Sequence, residues 1–282
     1  MTSVPQVLRK AADRVPAADA RLLLAHAATV PLSRLLTIGP LDAATLATFE
    51  ALVDQRAEGT PTQYLIGRAP FRHVELAVGP GVFIPRPETE VMTGWALDTL
   101  RAGVVGTPVV VELCAGSGAI SLAIADEFPG IEQYAVELSE QAVAYAVVNL
   151  AGTGVRLSQG DMADALPQLN GTVDLVIANP PYVPLDSFDG IPAEVRDHEP
   201  AVALFSGPDG LDAIRVLAGV AARLLRPGGW VCAEHAELQH ASAPEVFVRH
   251  GAFDQVRDRV DLTDRPRFVT ARRSAAVAGW PT

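Results

Sequence analysis

The spacing of apolar positions changes twice along the chain. Over residues 3–57 they recur near the helical period: Val7, Leu8 and Ala11, then Leu22, Leu23, Ala27 and Ala28, then Leu46, Phe49, Leu52 and Val53. Pro16, Pro31 and Pro40 punctuate these runs, so residues 1–60 predict a small all-helical domain. Between 61 and 84 the pattern shortens. Tyr64–Gly67 and Phe71–Leu76 have the character of two short strands around a turn at Arg68-Ala69-Pro70, a β-hairpin linker. Pro85-Arg86-Pro87-Glu88-Thr89-Glu90 then opens a helix. Pro87 stands near its first position, and acids occupy the first turn, where the helix dipole favours them.

Residues 85–282 alternate strand and helix. Val109–Leu113, Gln133–Val136, Val155–Ser158, Val173–Ala178 and Trp230–Glu234 are strand-like. Val173–Ala178 is almost wholly apolar, as a parallel strand covered on both faces must be. Helices are predicted over Ala119–Phe128, over the segment from Ser139, which caps it, to Leu150, and over Leu211–Leu225, closed by Pro227-Gly228-Gly229. Phe253–Val260 and Arg267–Ala271 complete the set as a final strand pair. This alternation predicts an α/β domain built on a doubly wound, mostly parallel sheet.

Composition narrows the function. Of 282 residues, 49% are hydrophobic and 20% charged, enough to bury a sizeable core. The formal net charge is -11 and Lys10 is the one lysine, so no basic run is available to grip a phosphate backbone. Cys114 and Cys232 lie in or at the end of apolar strand-like runs, which fits reduced thiols in a cytosolic protein. No apolar run reaches the ~20 residues that span a bilayer. The stretch Leu22–Ala28 is short, contains His26 and follows Asp13 and Asp19, so it reads as a packed helix face rather than a signal peptide. The six histidines show no metal spacing, and two cysteines 118 positions apart make no zinc pair, so no metal is expected. Hydrolase and nucleotide-triphosphatase loops are also missing from the sequence.

Two features carry chemistry. The first is Glu112-Leu113-Cys114-Ala115-Gly116-Ser117-Gly118, where the first strand of the sheet turns into a helix. Glycines there let the backbone approach a ligand closely, and the helix start offers N–H groups to an anionic part such as a carboxylate. Glu137 ends the next strand, 19 residues after Gly118. A carboxylate so placed can accept from both ribose hydroxyls of a nucleoside. The loop lacks the third glycine or alanine of a dinucleotide fingerprint, since Gly118 is followed by Ala119-Ile120-Ser121. Glu112 suits the cationic amino group of a methionine moiety better than a pyrophosphate.

The second feature is Asn179-Pro180-Pro181-Tyr182, directly after the apolar strand. Two prolines fix the backbone and remove two donors, leaving the Asn179 side-chain oxygen and the Pro180 carbonyl as acceptors. A planar NH2 group has two donors and needs two such acceptors. Binding it there orients a poor nucleophile toward an electrophile, and Tyr182 can pack flat against the planar group.

Together these segments resemble the PrmC/HemK family of peptide chain release factor glutamine methyltransferases. The resemblance runs from about Pro61 to Glu234. It rests on Gln63-Tyr64-Leu65-Ile66-Gly67, on Phe83-Ile84-Pro85-Arg86-Pro87-Glu88-Thr89-Glu90, on the glycine loop and on Asn179–Tyr182. It continues through Glu199-Pro200 with Ala203-Leu204, Gly207-Pro208-Asp209-Gly210-Leu211 and Pro227-Gly228-Gly229. It implies a class I, Rossmann-like methyltransferase domain over 85–282 with a seven-stranded sheet, and a helical domain over 1–60 that holds the release factor. It further implies S-adenosyl-L-methionine as donor, S-adenosyl-L-homocysteine as product, and the glutamine of a Gly-Gly-Gln loop in class-1 release factors as acceptor. By the same resemblance Cys114, Ala115, Gly116, Ser117, Gly118, Glu137 and Asn179 line the cofactor, with Asp161 and Met162 at the adenine. Asn179, Pro180, Pro181 and Tyr182 bind the amide, and Phe83 flanks that pocket. Cys114 stands where the family usually has glycine, and Met162 where it often has an aromatic.

Two other functions share these features. A nucleic-acid adenine-N6 methyltransferase would use the same turn on a flipped base, but needs a basic surface. A non-enzymatic binding module would keep the fold without the chemistry, which the intact Asn179–Tyr182 turn and Glu137 disfavour. The expected protein is a cytoplasmic monomer that contacts neither membrane nor nucleic acid.

Overall fold

A computed structural model describes residues 3–103 and 106–275. The chain clusters into two units: residues 1–68 with 78–80 and 192–198, and residues 69–77 with 81–191 and 199–282. Among the described residues no helix is long and apolar enough to cross a membrane.

The first unit is helical, as its periodicity predicts: α1 (Val4–Ala11), α2 (Ala17–Ala27), α3 (Ala43–Ala57) and the short α4 (Thr62–Ile66). Val4, Val7 and Ala11 form the buried stripe of α1 and join Leu23, Leu24, Leu35, Phe49 and Val53 in one core. Asp42 caps α3 by accepting from Thr45 N at 2.7 Å, a contact that stabilises a helix start by ~1 kcal/mol.

The strand expected over Tyr64–Gly67 is instead α4. Leu65 and Ile66 pack against the helical core, and Gly67 stops the turn in the left-handed region at φ 74°. The hairpin lies just beyond, as β1 (Arg68–Phe71) and β2 (Val74–Ala77). Its turn falls at Arg72-His73, not at Arg68-Ala69-Pro70, with Arg72 at φ 50°. Asn149 fastens β2 by accepting from Ala77 N at 2.8 Å and donating to Ala77 O at 3.0 Å.

The second unit holds the predicted sheet. Its strands are β3 (Val109–Leu113), β4 (Glu132–Glu137), β5 (Arg156–Gln159), β6 (Val173–Ala178), β7 (Leu225–Glu234), β8 (Phe253–Val260) and β9 (Pro266–Arg273). They lie in the order β5-β4-β3-β6-β7-β9-β8, and β9 alone runs opposite to the other six. Helices α5 (Pro87–Gly103), α6 (Ala119–Glu127), α7 (Glu140–Asn149), α9 (Asp212–Leu224) and α10 (Ser242–His250) belong with it; α8 (Ala193–His198) falls in the first unit. Val111, Leu113, Val176 and Ala178 pack on Ile214, Leu217 and Ala218 of α9 and on Phe247 of α10. On the opposite face Ala135 meets Ala146 and Leu150.

Pro227-Gly228-Gly229 does not close the preceding helix, which ends at Leu224; it forms a bulge within β7. The ladder passes from Val173↔Leu225 to Leu175↔Trp230. At Gly229 a Cβ would lie 2.9 Å from the Val173 carbonyl oxygen, so only glycine lets the strands approach there. From β3 the chain winds outward to β4 and β5, then returns to β6 on the other side. That reversal opens a crevice beyond the carboxyl ends of β3 and β6, where doubly wound sheets take ligands.

Candidate active site

The loop leaving β3 occupies one side of this crevice. Three alternate residues are left-handed: Cys114 (φ 57°), Gly116 (56°) and Gly118 (80°). Ala115 N donates to Val136 O at 3.0 Å, and Gly118 N to Ala115 O at 2.8 Å, closing the turn. Glu137 ends β4 beside it. Its Oε2 accepts from Gly116 N and its Oε1 from Ser139 N, both at 2.7 Å. Each oxygen retains a lone pair, so the carboxylate can still receive a diol. A Cβ on Gly116 would meet nothing within 4 Å, so space is open beside the loop at that position.

Cys114 is the exception in this turn. A left-handed L-residue costs roughly 1–2 kcal/mol, which the usual glycine would avoid. Burial pushes its thiol up, so the sulfur stays protonated and serves as an apolar wall. It lies 3.7 Å from Met162 Sδ, which brings Met162 onto the loop. Asp161 caps the short turn over Met162–Asp164 by accepting from Ala163 N at 2.9 Å. Ser117 is buried, and its carbonyl accepts from Asn149 Nδ2 at 2.8 Å.

Glu112 lies beneath the loop, near the end of β3. Strand alternation turns it into the sheet–helix layer, where its Oε2 accepts from Ser121 N at 2.9 Å and from the Ser121 hydroxyl. It is 1% exposed, and burial pushes its carboxyl up to about 8. Through these bonds the side chain anchors the start of α6 under the loop.

The Asn179–Tyr182 turn forms the other side of the crevice, at the end of β6. Asn179 Nδ2 donates to Thr89 Oγ1 at 3.3 Å. Thr89 in turn donates to Glu234 Oε2 at 2.6 Å, and Tyr182 OH donates to Glu234 Oε1 at 3.2 Å. Glu234 ends β7, is 1% exposed, and is pushed up to about 7 by burial. The same burial raises the Tyr182 phenol, keeping it a neutral donor. Gln239 Nε2 spans Tyr182 O (2.9 Å) and Asp209 O (3.2 Å), pinning the turn to the following loop. Val183 N donates to Leu204 O at 2.8 Å, and Ser206 N to Val183 O at 2.9 Å. Arg86 lies 4.7 Å over the centre of the Phe83 ring, and its guanidinium pairs with the buried Glu199.

Thr89, Arg86 and Glu199 belong to segments the sequence singles out, but their roles appear only in three dimensions. Glu234 is visible there as a strand-end acid, and Gln239 carries no sequence signal. His235, next to Glu234, is a strand tie, with Nε2 2.9 Å from Asp258 Oδ1 on β8.

Comparison with known proteins shows the family. A family model described as the PrmC N-terminal domain matches residues 2–67, and one described as a methyltransferase domain matches residues 110–198. A release factor glutamine methyltransferase of Streptomyces coelicolor is 47% identical, over 97% of this chain and 98% of its own. The chain belongs to the release factor glutamine methyltransferase family. A second release factor glutamine methyltransferase, from Mycolicibacterium smegmatis, is 46% identical over 95% of this chain and 94% of its own. A 4-amino-L-phenylalanine/4-methylamino-L-phenylalanine methyltransferase of Streptomyces pristinaespiralis is 40% identical over 88% of this chain and 85% of its own. The hMettl16 catalytic domain superposes with a TM-score of 0.54 at 15% identity, over 73% of this chain and 78% of that one, which shows a shared fold. The class I methyltransferase architecture is thus that of the glutamine methyltransferase family.

Proposed function

We propose that this protein transfers the methyl group of S-adenosylmethionine to the side-chain amide nitrogen of the glutamine in the Gly-Gly-Gln motif of class-1 peptide chain release factors. The observation that carries the reading is an acceptor-rich Asn179–Tyr182 turn at the end of β6, opposite the Cys114–Gly118 loop, in a chain 47% identical to a release factor glutamine methyltransferase.

When bound, S-adenosylmethionine supplies an electrophilic methyl on a sulfonium; its carbon–sulfur bond breaks as the nitrogen–carbon bond forms, leaving S-adenosylhomocysteine. The chain's residues bind and orient. Glu137 accepts the ribose hydroxyls through its remaining lone pairs, and Cys114–Gly118 borders the methionine part. Leu138, 54% exposed beside Glu137, and Met162 offer apolar surface for an adenine. Asn179 Oδ1 and the Pro180 carbonyl accept the two N–H groups of the glutamine amide. Pro181 keeps the turn rigid, while Tyr182 and Phe83 border the planar group. Fixing the amide in this way opposes delocalisation of its lone pair and aligns the nitrogen for in-line attack. The proton leaves the methylated nitrogen readily, so no side-chain base is assigned.

The helical first unit is assigned to holding the release factor, in a monomer that acts in the cytoplasm. The net charge of -11 supports a protein acceptor over a nucleic acid. The test is mass spectrometry of a class-1 release factor incubated with the protein and donor, alongside Asn179→Ala. One added methyl on the Gly-Gly-Gln glutamine, lost in the variant, is expected. An unmodified factor, with methylation of 4-aminophenylalanine or of an adenine oligonucleotide instead, overturns the assignment.

A further inference from the structure

We propose that Thr89 and Glu234 are positioning residues that set the polarity of the acceptor pocket by fixing which end of the Asn179 amide faces the substrate. This rests on the amide-methylation reading above and deepens it.

A side-chain amide is nearly symmetric in shape, with an oxygen at one end and an NH2 at the other. Asn179 could present either end to the crevice. Presenting oxygen selects an acceptor group that carries N–H donors. Presenting nitrogen selects a carbonyl or carboxylate, which has no nucleophilic nitrogen to offer. Something must break this degeneracy.

The chain of contacts does so step by step. Above about pH 7, where Glu234 is ionised, its carboxylate has only acceptors, so it takes the Thr89 hydroxyl proton at Oε2, across 2.6 Å, and the Tyr182 proton at Oε1, across 3.2 Å. Thr89 has one proton to give. Once that is committed, its oxygen offers only lone pairs to Asn179. Asn179 must therefore turn its Nδ2 toward Thr89, at 3.3 Å, and the Oδ1 end is left for the substrate. Glu234 and Thr89 are 1% and 3% exposed, so water does not compete for these bonds. The two residues reach the turn from different elements, the first turn of α5 and the end of β7. Thr93 on α5 steadies Thr89 by donating to its carbonyl at 2.9 Å. The relay touches the acceptor site only through Asn179 and Tyr182, so Thr89 and Glu234 act through those two residues.

The test compares Thr89→Val, which keeps the shape and removes the hydroxyl, with Thr89→Ser, which keeps the hydroxyl. Two measurements are made on each full-length protein. In methyl transfer to the release factor, Thr89→Val is expected to lose roughly 10–100-fold in kcat/KM, the size of one hydrogen bond lost from the transition state. Thr89→Ser should stay within about threefold, and both should bind S-adenosylhomocysteine as the parent does. The second measurement is nitrogen NMR of the Asn179 side-chain amide, which does not depend on the identity of the acceptor. One of its two protons should exchange slowly in the parent and in Thr89→Ser, and rapidly in Thr89→Val. Thr89→Val that keeps full activity and a protected amide proton overturns the proposal. So does Thr89→Ser as impaired as Thr89→Val, which would assign the effect to packing of the methyl group. If the parent leaves release factors unmodified while the amide proton behaves as expected, the acceptor assignment fails and the orienting relay stands.

Discussion

Replacing one hydrogen by a methyl group should have opposite effects at two glycines of the second unit. Gly210 adopts φ 74°, and a Cβ there would lie 2.2 Å from Tyr182 O, 3.0 Å from Tyr182 C and 2.6 Å from Gln239 Nε2. Two costs add in Gly210→Ala. The left-handed backbone disfavours an L-residue by about 1–2 kcal/mol, and forcing a methyl against a carbonyl typically costs ~1–3 kcal/mol. The sum is about 2–5 kcal/mol. Gly219 lies in the interior of α9, and a Cβ there would meet nothing within 4 Å. Gly219→Ala exchanges a poor helix former for the best one, a gain of up to about 1 kcal/mol. Trp95 and Trp230 pack edge to face with centroids 5.7 Å apart, and the first unit contains no tryptophan, so their emission follows the second unit. Urea titrations read by that emission should place Gly210→Ala below the parent and Gly219→Ala slightly above it. Because the displaced atom is the Tyr182 carbonyl, methyl transfer in Gly210→Ala should fall while donor binding persists. A Gly210→Ala protein within ~0.5 kcal/mol of the parent and fully active would refute this account of how the turn is held.

Three further outcomes can be measured directly. Glu137→Gln should weaken S-adenosylhomocysteine binding about 10–100-fold by calorimetry, since charged hydrogen bonds contribute ~1.5–3 kcal/mol. Glu112 has a folded-state pKa of about 8, raised above its value in the unfolded chain, so its contribution to stability is present at low pH and is lost as pH rises through 8. Glu112→Gln should flatten the stability profile between about pH 5 and 8, where one such carboxyl imposes a slope of up to ~1.4 kcal/mol per pH step of one; an unchanged slope would show that another group carries it. Arg86→Ala removes the guanidinium from the buried Glu199 and uncovers the Phe83 ring, so it should destabilise the protein by about 2–4 kcal/mol in urea titration.

The sheet was largely legible because burial on both faces writes itself into the sequence. Val109–Leu113 and Val173–Ala178 are almost unbroken apolar runs, and their ends coincide with the strands. The Cys114–Gly118 turn was legible for a related reason: it needs left-handed residues, and glycine advertises two of them. Tyr64–Ile66 misleads because Tyr and Ile favour strands locally, whereas packing of Leu65 and Ile66 on the helical core decides the outcome. Pro227-Gly228-Gly229 has the form of a terminator, and only the partner strand reveals a bulge. The Thr89–Glu234 bond joins residues 145 positions apart, beyond the reach of any local pattern.

The placement of β9 between β7 and β8 has a consequence for how the protein is made. On the ribosome β7 emerges well before β9, so one edge of β7 stays open while more than thirty residues, 235–265, are still being added. Glu234, which pairs with Phe268 across that edge, cannot settle until the last strand of the sheet arrives. Such long-range closure is slow and leaves an exposed edge that invites wrong partners. The Asn179–Thr89–Glu234 network is therefore among the last parts of the enzyme to be assembled, and a nascent chain that already carries the Cys114–Gly118 loop should remain inactive until β9 has docked.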